Sequence, residues 1–134
     1  MGEVTAELRQ ALRAVGLADI EVLREDGSLR AAAGRPLTTV DEGRRLARRL
    51  QEPAETDAAG ITVGGLSYQP AEAGRRLLHG RRGGEGGVVV VHRPPYIVVA
   101  RYDEGHPAAD AVLAVANLAD LLAGAHRPHG PPRT

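Results

Sequence analysis

Two adjacent arginines, Arg81 and Arg82, stand in the glycine-rich run Gly80-Arg81-Arg82-Gly83-Gly84-Glu85-Gly86-Gly87. This stretch has the residue types to hold an anion. Glycines let backbone N–H groups converge on a phosphate, and guanidinium forks pair with carboxylates or phosphates. A nucleotide cradle is not expected, because Gly86-Gly87 leads into Val88–Val91 rather than into a helix, and no Lys or Ser/Thr follows. By residue type alone the pair reads as a solvated hairpin turn. A second grouping, Asp103-Glu104 near His106, sets carboxylates beside an imidazole. Catalysis there would also need a nucleophile with an orienting third group. Ser28 and Ser67, the only serines, both fall in hairpin positions. The five histidines, at positions 79, 92, 106, 126 and 129, form no i,i+4 pair on a helix, so no metal site is expected. No cofactor and no enzymatic activity are expected either.

Composition narrows the field further. The chain has 134 residues with 17 basic and 17 acidic side chains, a formal net charge of zero. That length suits one compact domain. A neutral chain lacks the general attraction to phosphates that a nucleic-acid binder needs, so no nucleic acid is expected as partner. There is no cysteine, which excludes a disulfide framework, a thiolate nucleophile and Cys-bound metal. All basic residues are Arg; the lack of Lys excludes Schiff-base chemistry and a Walker A loop. The hydrophobic share of 43% rests on Ala, Val and Leu, the usage of a GC-rich genome. Glu3, Glu7, Arg9 and Arg13 interrupt the first residues, which therefore do not read as a signal peptide. No apolar run approaches the roughly 18 residues of a membrane span. A soluble, cytoplasmic protein is expected.

The elements that must position these residues follow from periodicity. Val4, Leu8, Leu12 and Val15 recur at helical spacing with Gly16 as a stop, predicting a helix over 3–15. Strands at 19–23 and 28–33 flank a turn containing Asp26-Gly27, a hairpin signal. Thr39-Val40-Asp41-Glu42 has capping-box spacing and opens a second helix reaching about Gln51, with Pro53 beyond it. On that helix Arg44, Arg45, Arg48 and Arg49 form a stripe, read as a solvated face that Glu52 and Glu55 can partner. Ile61–Val63 and Leu66–Tyr68 flank Gly64-Gly65 as a tight hairpin. The stretch 70–79 is indistinct apart from Leu77 and Leu78, which suggest a returning strand. Val88–Val91 and Ile97–Tyr102 are nearly unbroken apolar strands, as for central strands covered on both faces. A last helix over 107–123 has Pro107 near its start and Gly124 as its stop. Residues 1–125 thus form one domain, with 126–134 as a Pro- and His-containing flexible tail.

In this frame, residues 52–122 resemble the profilin family of actin-monomer-binding proteins. Glu52-Pro53, then Gly60-Ile61-Thr62-Val63-Gly64-Gly65-Leu66-Ser67-Tyr68, is similar to the family's EP followed by G-hydrophobic-x-hydrophobic-G-G-x-K-Y. Gly80-Arg81-Arg82-Gly83 resembles its G-K-K-G turn, and Gly86-Gly87 the G-G opening the next strand. Tyr102-Asp103-Glu104 falls at the family's Y-E/D-E, and Leu118-Ala119-Asp120-Leu121-Leu122 at its L-G-D-Y-L. Upstream, Asp26-Gly27-Ser28 matches the D-G-S of the first hairpin. The resemblance implies an α+β fold: a central antiparallel sheet, the N- and C-terminal helices on one face and a smaller helix on the other.

It also implies a partner, actin or an actin-like monomer, here of a divergent, bacterial-type member. The implied contacts are Val63, His79, Arg81, Arg82, Arg93, Glu104, His106 and Asp110, carried by 61–63, 79–83, 88–93 and 104–110. Weak binding to anionic phospholipid and a monomeric state are further expectations. The family's proline-rich ligands dock on aromatic rings. In this chain Arg30 stands where a Trp is usual and Leu121 where a Tyr is usual, and the first helix has no ring. Polyproline binding is therefore expected to be lost. Ser67 replaces the family's Lys after Gly64-Gly65. The rival reading is a non-catalytic roadblock- or longin-like dimer that regulates a small GTPase.

Overall fold

A computed structural model describes residues 10, 14–17, 19–54, 60–84 and 86–126. The expected helix over 3–15 and the tail beyond His126 lie outside the described residues apart from Gln10 and Ala14–Leu17. Seven strands and two helices are present among them: β1 (Asp19–Arg24), β2 (Leu29–Ala33), α1 (Val40–Gln51), β3 (Ile61–Val63), β4 (Leu66–Ala73), β5 (Leu77–Arg81), β6 (Gly87–Arg93), β7 (Tyr96–Tyr102) and α2 (Ala108–His126). The strands form one antiparallel sheet in the order β2-β1-β7-β6-β5-β4-β3.

The β-branched runs take the middle of this sheet, as their composition demands. Val88, Val89 and Val90 on β6 and Val98 and Val99 on β7 have no exposed surface. Alternation then sorts the side chains into two cores. Ile20, Val22, Val89, Val91, Val98 and Ala100 pack under Ala111, Val115, Leu118 and Ala119 of α2. Val88, Val90, Ile97 and Val99 pack on the other face with Leu46, Ala47 and Leu50 of α1. Val15 and Leu17 join the α2-side core. The two described helices thus lie on opposite faces.

Local chemistry sets the element ends, with three departures from expectation. The α1 capping box forms as expected: Glu42 N–H donates to Thr39 Oγ1 at 3.1 Å and Thr39 N–H to Glu42 Oε1 at 3.0 Å. The indistinct stretch after Tyr68 proves to be strand, β4 continuing to Ala73 with a register shift between Pro70 and Glu72. Pro70 has no N–H to give the ladder, which is why the pairing slips there. His92 and Arg93 belong to β6, leaving Pro94-Pro95, joined by a cis bond, as the turn. Gly124 does not stop α2, which runs on to His126; its φ stays out of the left-handed region a C′ glycine takes.

Candidate functional site

At one end of the central strands the glycine-rich turn meets the connection leading into α2. Gly87 is cross-strand from both Arg81 on β5 and Tyr102 on β7. Gly86 has φ +100° and a Cβ there would lie 2.9 Å from Asp103 Cα. A Cβ on Gly87 would lie 2.7 Å from the Tyr102 ring carbon Cζ. Gly86 is needed because the backbone of the Tyr102-Asp103 segment lies directly against it, and Gly87 because the Gly80 carbonyl oxygen and the Tyr102 ring do. A Cβ at Gly84 would sit 3.7 Å from a Glu104 carboxylate oxygen. The turn is closed by Arg82 N–H donating to Gly86 O at 3.0 Å, and the 103–106 turn by His106 N–H donating to Asp103 O at 2.9 Å. Pro107 O then accepts the N–H of Ala111, so α2 starts from this surface.

Beneath the surface lies a pair that sequence reasoning did not find. His79 Nε2 and Tyr102 Oη are 2.6 Å apart, and both side chains are buried. Burial lowers the His79 pKa, and the nearby Arg81 charge lowers it further against an opposing pull from Glu72. Burial likewise raises the Tyr102 pKa, with Arg81 acting the other way. Both groups are therefore neutral near pH 7, as a buried hydrogen-bonded pair requires. Their signal in the sequence was only alternation: His79 and Tyr102 occupy inward-facing positions of strands flanking β6.

The expected contact residues divide into those that share this surface and those that do not. Arg81, Glu104 and Asp110 are exposed, and Arg82 and His106 half-buried, all at the Gly87–Tyr102 end. Val63 is 1% exposed and packs in the α1-side core, so its side chain presents nothing to a partner. His79 is buried with Tyr102 and supports the turn from below. Arg93 pairs with Tyr96 at the opposite end of β6, about 20 Å away at 3.3 Å per residue. Its guanidinium Nε donates to Asp120 Oδ1 of α2 at 2.8 Å, a structural link between sheet and helix. Of the positions where rings were expected to be missing, Arg30 is half-buried on β2 and Leu121 is 63% exposed on α2.

Three buried carboxylates on the α1 side hold the remaining frame. Asp19 accepts the Arg35 N–H and is bridged by Arg101; burial alone would raise its pKa, but these partners bring it below the ordinary value. Glu21 accepts the N–H groups of Leu37 and Thr38 and the Thr38 hydroxyl. Glu42 closes the cap of α1 and also accepts from Gly64 N–H at 2.9 Å and Gly65 N–H at 2.8 Å, tying the β3–β4 hairpin to the helix. Burial pushes the Glu42 pKa up; the N–H donors of Thr39, Gly65 and Gly64 outweigh it and leave it lowered. Among the described residues no group of three or more His, Asp or Glu is placed to hold a metal ion, and no helix is long and apolar enough to cross a membrane.

Comparison with known proteins agrees with this frame. The family model Profilin matches residues 10–126. The chain is 30% identical to Profilin-1 of Dictyostelium discoideum over 114 residues, covering 84% of this chain and 90% of that protein. A shorter stretch is 33% identical to Profilin-P of Physarum polycephalum, covering 60% of this chain and just under two thirds (64%) of that relative. In structure it is similar to the profilin of Schizosaccharomyces pombe, with TM-score 0.83 at 25% identity over 92% of this chain and 98% of the other. It shares its fold with LokiProfilin2 in the complex with rabbit actin, with TM-score 0.74 at 15% identity over 88% and 96% of the two chains. None of these relatives is bacterial, so the bacterial-type assignment is set aside. The sheet, the helix on each face and the family match over nearly the whole chain lead to one conclusion: this protein belongs to the profilin family.

Proposed function

We propose that this chain binds monomeric actin, or an actin-like monomer, and regulates filament assembly as a non-enzymatic cytoplasmic protein. The observation that carries the reading is the meeting of two separate segments, the Gly80–Gly87 turn and Tyr102–Asp110, through the contacts of Gly84, Gly86 and Gly87. Family membership supports the partner, and LokiProfilin2, which shares the fold, was solved bound to rabbit actin. The contact residues in this reading are Arg81, Arg82, Glu104, His106 and Asp110, with Val63, His79 and Arg93 relieved of direct contact by their burial or distance. Arginine forks suit an acidic partner surface. A protein seated on one end of the monomer blocks nucleation and growth at that end while leaving the other free.

Polyproline recognition has no part in this function. Arg30 and Leu121 supply no ring for a proline-rich helix to stack on. Calorimetry with a deca-proline peptide is expected to show no heat of binding, and a micromolar dissociation constant would refute this. The actin reading is tested by polymerisation kinetics with Arg81→Glu/Arg82→Glu. Reversing both charges is expected to weaken inhibition of assembly at least about tenfold. The control Arg44→Glu/Arg45→Glu, on the far helix α1, is expected to inhibit like wild type. If the turn variant inhibits normally, the contact surface lies elsewhere.

A further inference from the structure

The arginines of α1 take no part in the surface just described, and they crowd the side of the helix turned away from the core. Leu46, Ala47 and Leu50 turn into the core, while Arg44, Arg45 and Arg48 are exposed on the outer side. Arg44 and Arg48 are one turn apart and Arg45 and Arg48 three residues apart, so like charges are neighbours, which weakens a helix. Of the two acids in the helix, Glu42 is turned inward onto Thr39, Gly64 and Gly65, and Asp41, exposed in the first turn, forms no ion pair with Arg44, Arg45 or Arg48 among the described residues. Among the described residues neither Arg44 nor Arg48 forms an ion pair.

Beside the C-terminal end of α1 opens a cleft of about 250 Å³, with Ala47, Leu50 and Gln51 on one wall and Glu25, Arg75 and His92 on the other. Arg75 comes from the β4–β5 turn, which is pinned to β6 by His92 N–H donating to Arg76 O at 2.8 Å. Its guanidinium is exposed and forms no ion pair among the described residues. Glu25 is already engaged, 2.7 Å from His92 Nε2. The charge left for a ligand at this rim is the cation of Arg75.

We propose that the outer face of α1 and this cleft bind an extended, Asp/Glu-rich segment of a partner protein, independently of the actin surface. Arg44 and Arg48 are about 6 Å apart along the helix axis. Alternate side chains of an extended chain are about 6.6 Å apart. Carboxylates at every second position of such a segment therefore meet successive guanidinium forks, and the chain continues past Gln51 to Arg75. A flat anionic bilayer fits less well. The sole exposed large apolar side chain of this helix is Val40 at its start, which leaves little to insert among lipids, and a bilayer cannot enter the cleft.

The probe is a fluorescein-labelled peptide of alternating Glu and Ser, with alternating Lys and Ser as control, titrated with the full chain at low salt by fluorescence anisotropy. The Glu peptide is expected to bind and the Lys peptide not. Arg44→Glu/Arg48→Glu is expected to weaken binding at least about tenfold and Arg75→Ser several-fold. Arg81→Glu/Arg82→Glu is expected to bind the peptide like wild type, which separates this site from the actin reading whichever way that test falls. All these side chains are exposed or half-buried, and circular dichroism verifies that each variant is folded. The proposal is overturned if wild type ignores the Glu peptide, if the α1 variant binds it as tightly as wild type, or if the turn variant loses it equally. Capture by phosphatidylserine vesicles without peptide binding would assign the face to a membrane instead and also overturns it.

Discussion

Replacing Glu42 with Gln preserves the shape of the side chain and removes one negative charge, so it isolates what the buried carboxylate does. Oε1 accepts from Thr39 N–H at 3.0 Å and Gly64 N–H at 2.9 Å, and Oε2 accepts from Gly65 N–H at 2.8 Å. In the variant the amide oxygen can keep the first two donors, leaving the new NH2 facing the Gly65 N–H. One charge-assisted bond is lost, worth about 1.5 kcal/mol because the exposed Gly65 can turn to water. Each retained bond drops from charged to neutral strength, about 0.5 kcal/mol apiece. The expected loss is about 2.5 kcal/mol near neutral pH, or roughly 8 °C in Tm for a chain of this size. The sign of the pH dependence follows from the lowered Glu42 pKa. A depressed folded-state pKa stabilises above the unfolded value of about 4.3, and that contribution fades as pH falls through the folded value. Urea unfolding followed by circular dichroism at pH 7 and at about pH 3 reads both quantities. The deficit of Glu42→Gln should be large at pH 7 and shrink in acid. A variant within about 0.5 kcal/mol of wild type at pH 7, or a deficit unchanged by pH, would refute the role assigned to this carboxylate.

Two further outcomes are expected. Gly87→Ala drives a methyl group against the Gly80 carbonyl oxygen and the Tyr102 ring and should cost about 2 kcal/mol, seen as a fall in the urea midpoint with the tyrosine near-UV signal altered; an unchanged midpoint would refute this close approach of β5 and Tyr102 to Gly87. His79 is held neutral by burial, so the unfolded chain binds more protons than the folded one as pH falls below about 6.5. Stability should therefore decline between pH 7 and pH 5, with a shallower decline in His79→Gln; equal slopes would place the acid sensitivity in another group.

What the chain dictated by itself was whatever depends on near neighbours. The Thr39–Glu42 cap, the Asp26-Gly27 turn, the apolar runs of β6 and β7 and the order of elements are legible because capping, turn formation and side-chain alternation act over a few residues. The succession of glycine and tyrosine motifs carried the family resemblance for the same reason, since each motif fixes a local backbone shape. The site was legible only in part. That Arg81 and Glu104 belong to one surface was implied by resemblance, but burial of Val63 and His79, and the distance of Arg93, depend on sheet register and on which face each strand turns to each core. Only the first part of β4, Leu66–Tyr68, was legible; its continuation to Ala73 was obscured by Pro70 and by its half-exposed position next to the sheet edge, where no strong apolar pattern is needed. Least legible were Asp19, Glu21 and Glu42 as buried anchors. A carboxylate can enter a core only where N–H groups or guanidinium from distant segments converge on it, and those partners, Arg35, Leu37, Gly64, Gly65 and Arg101, come together only when the tertiary structure closes.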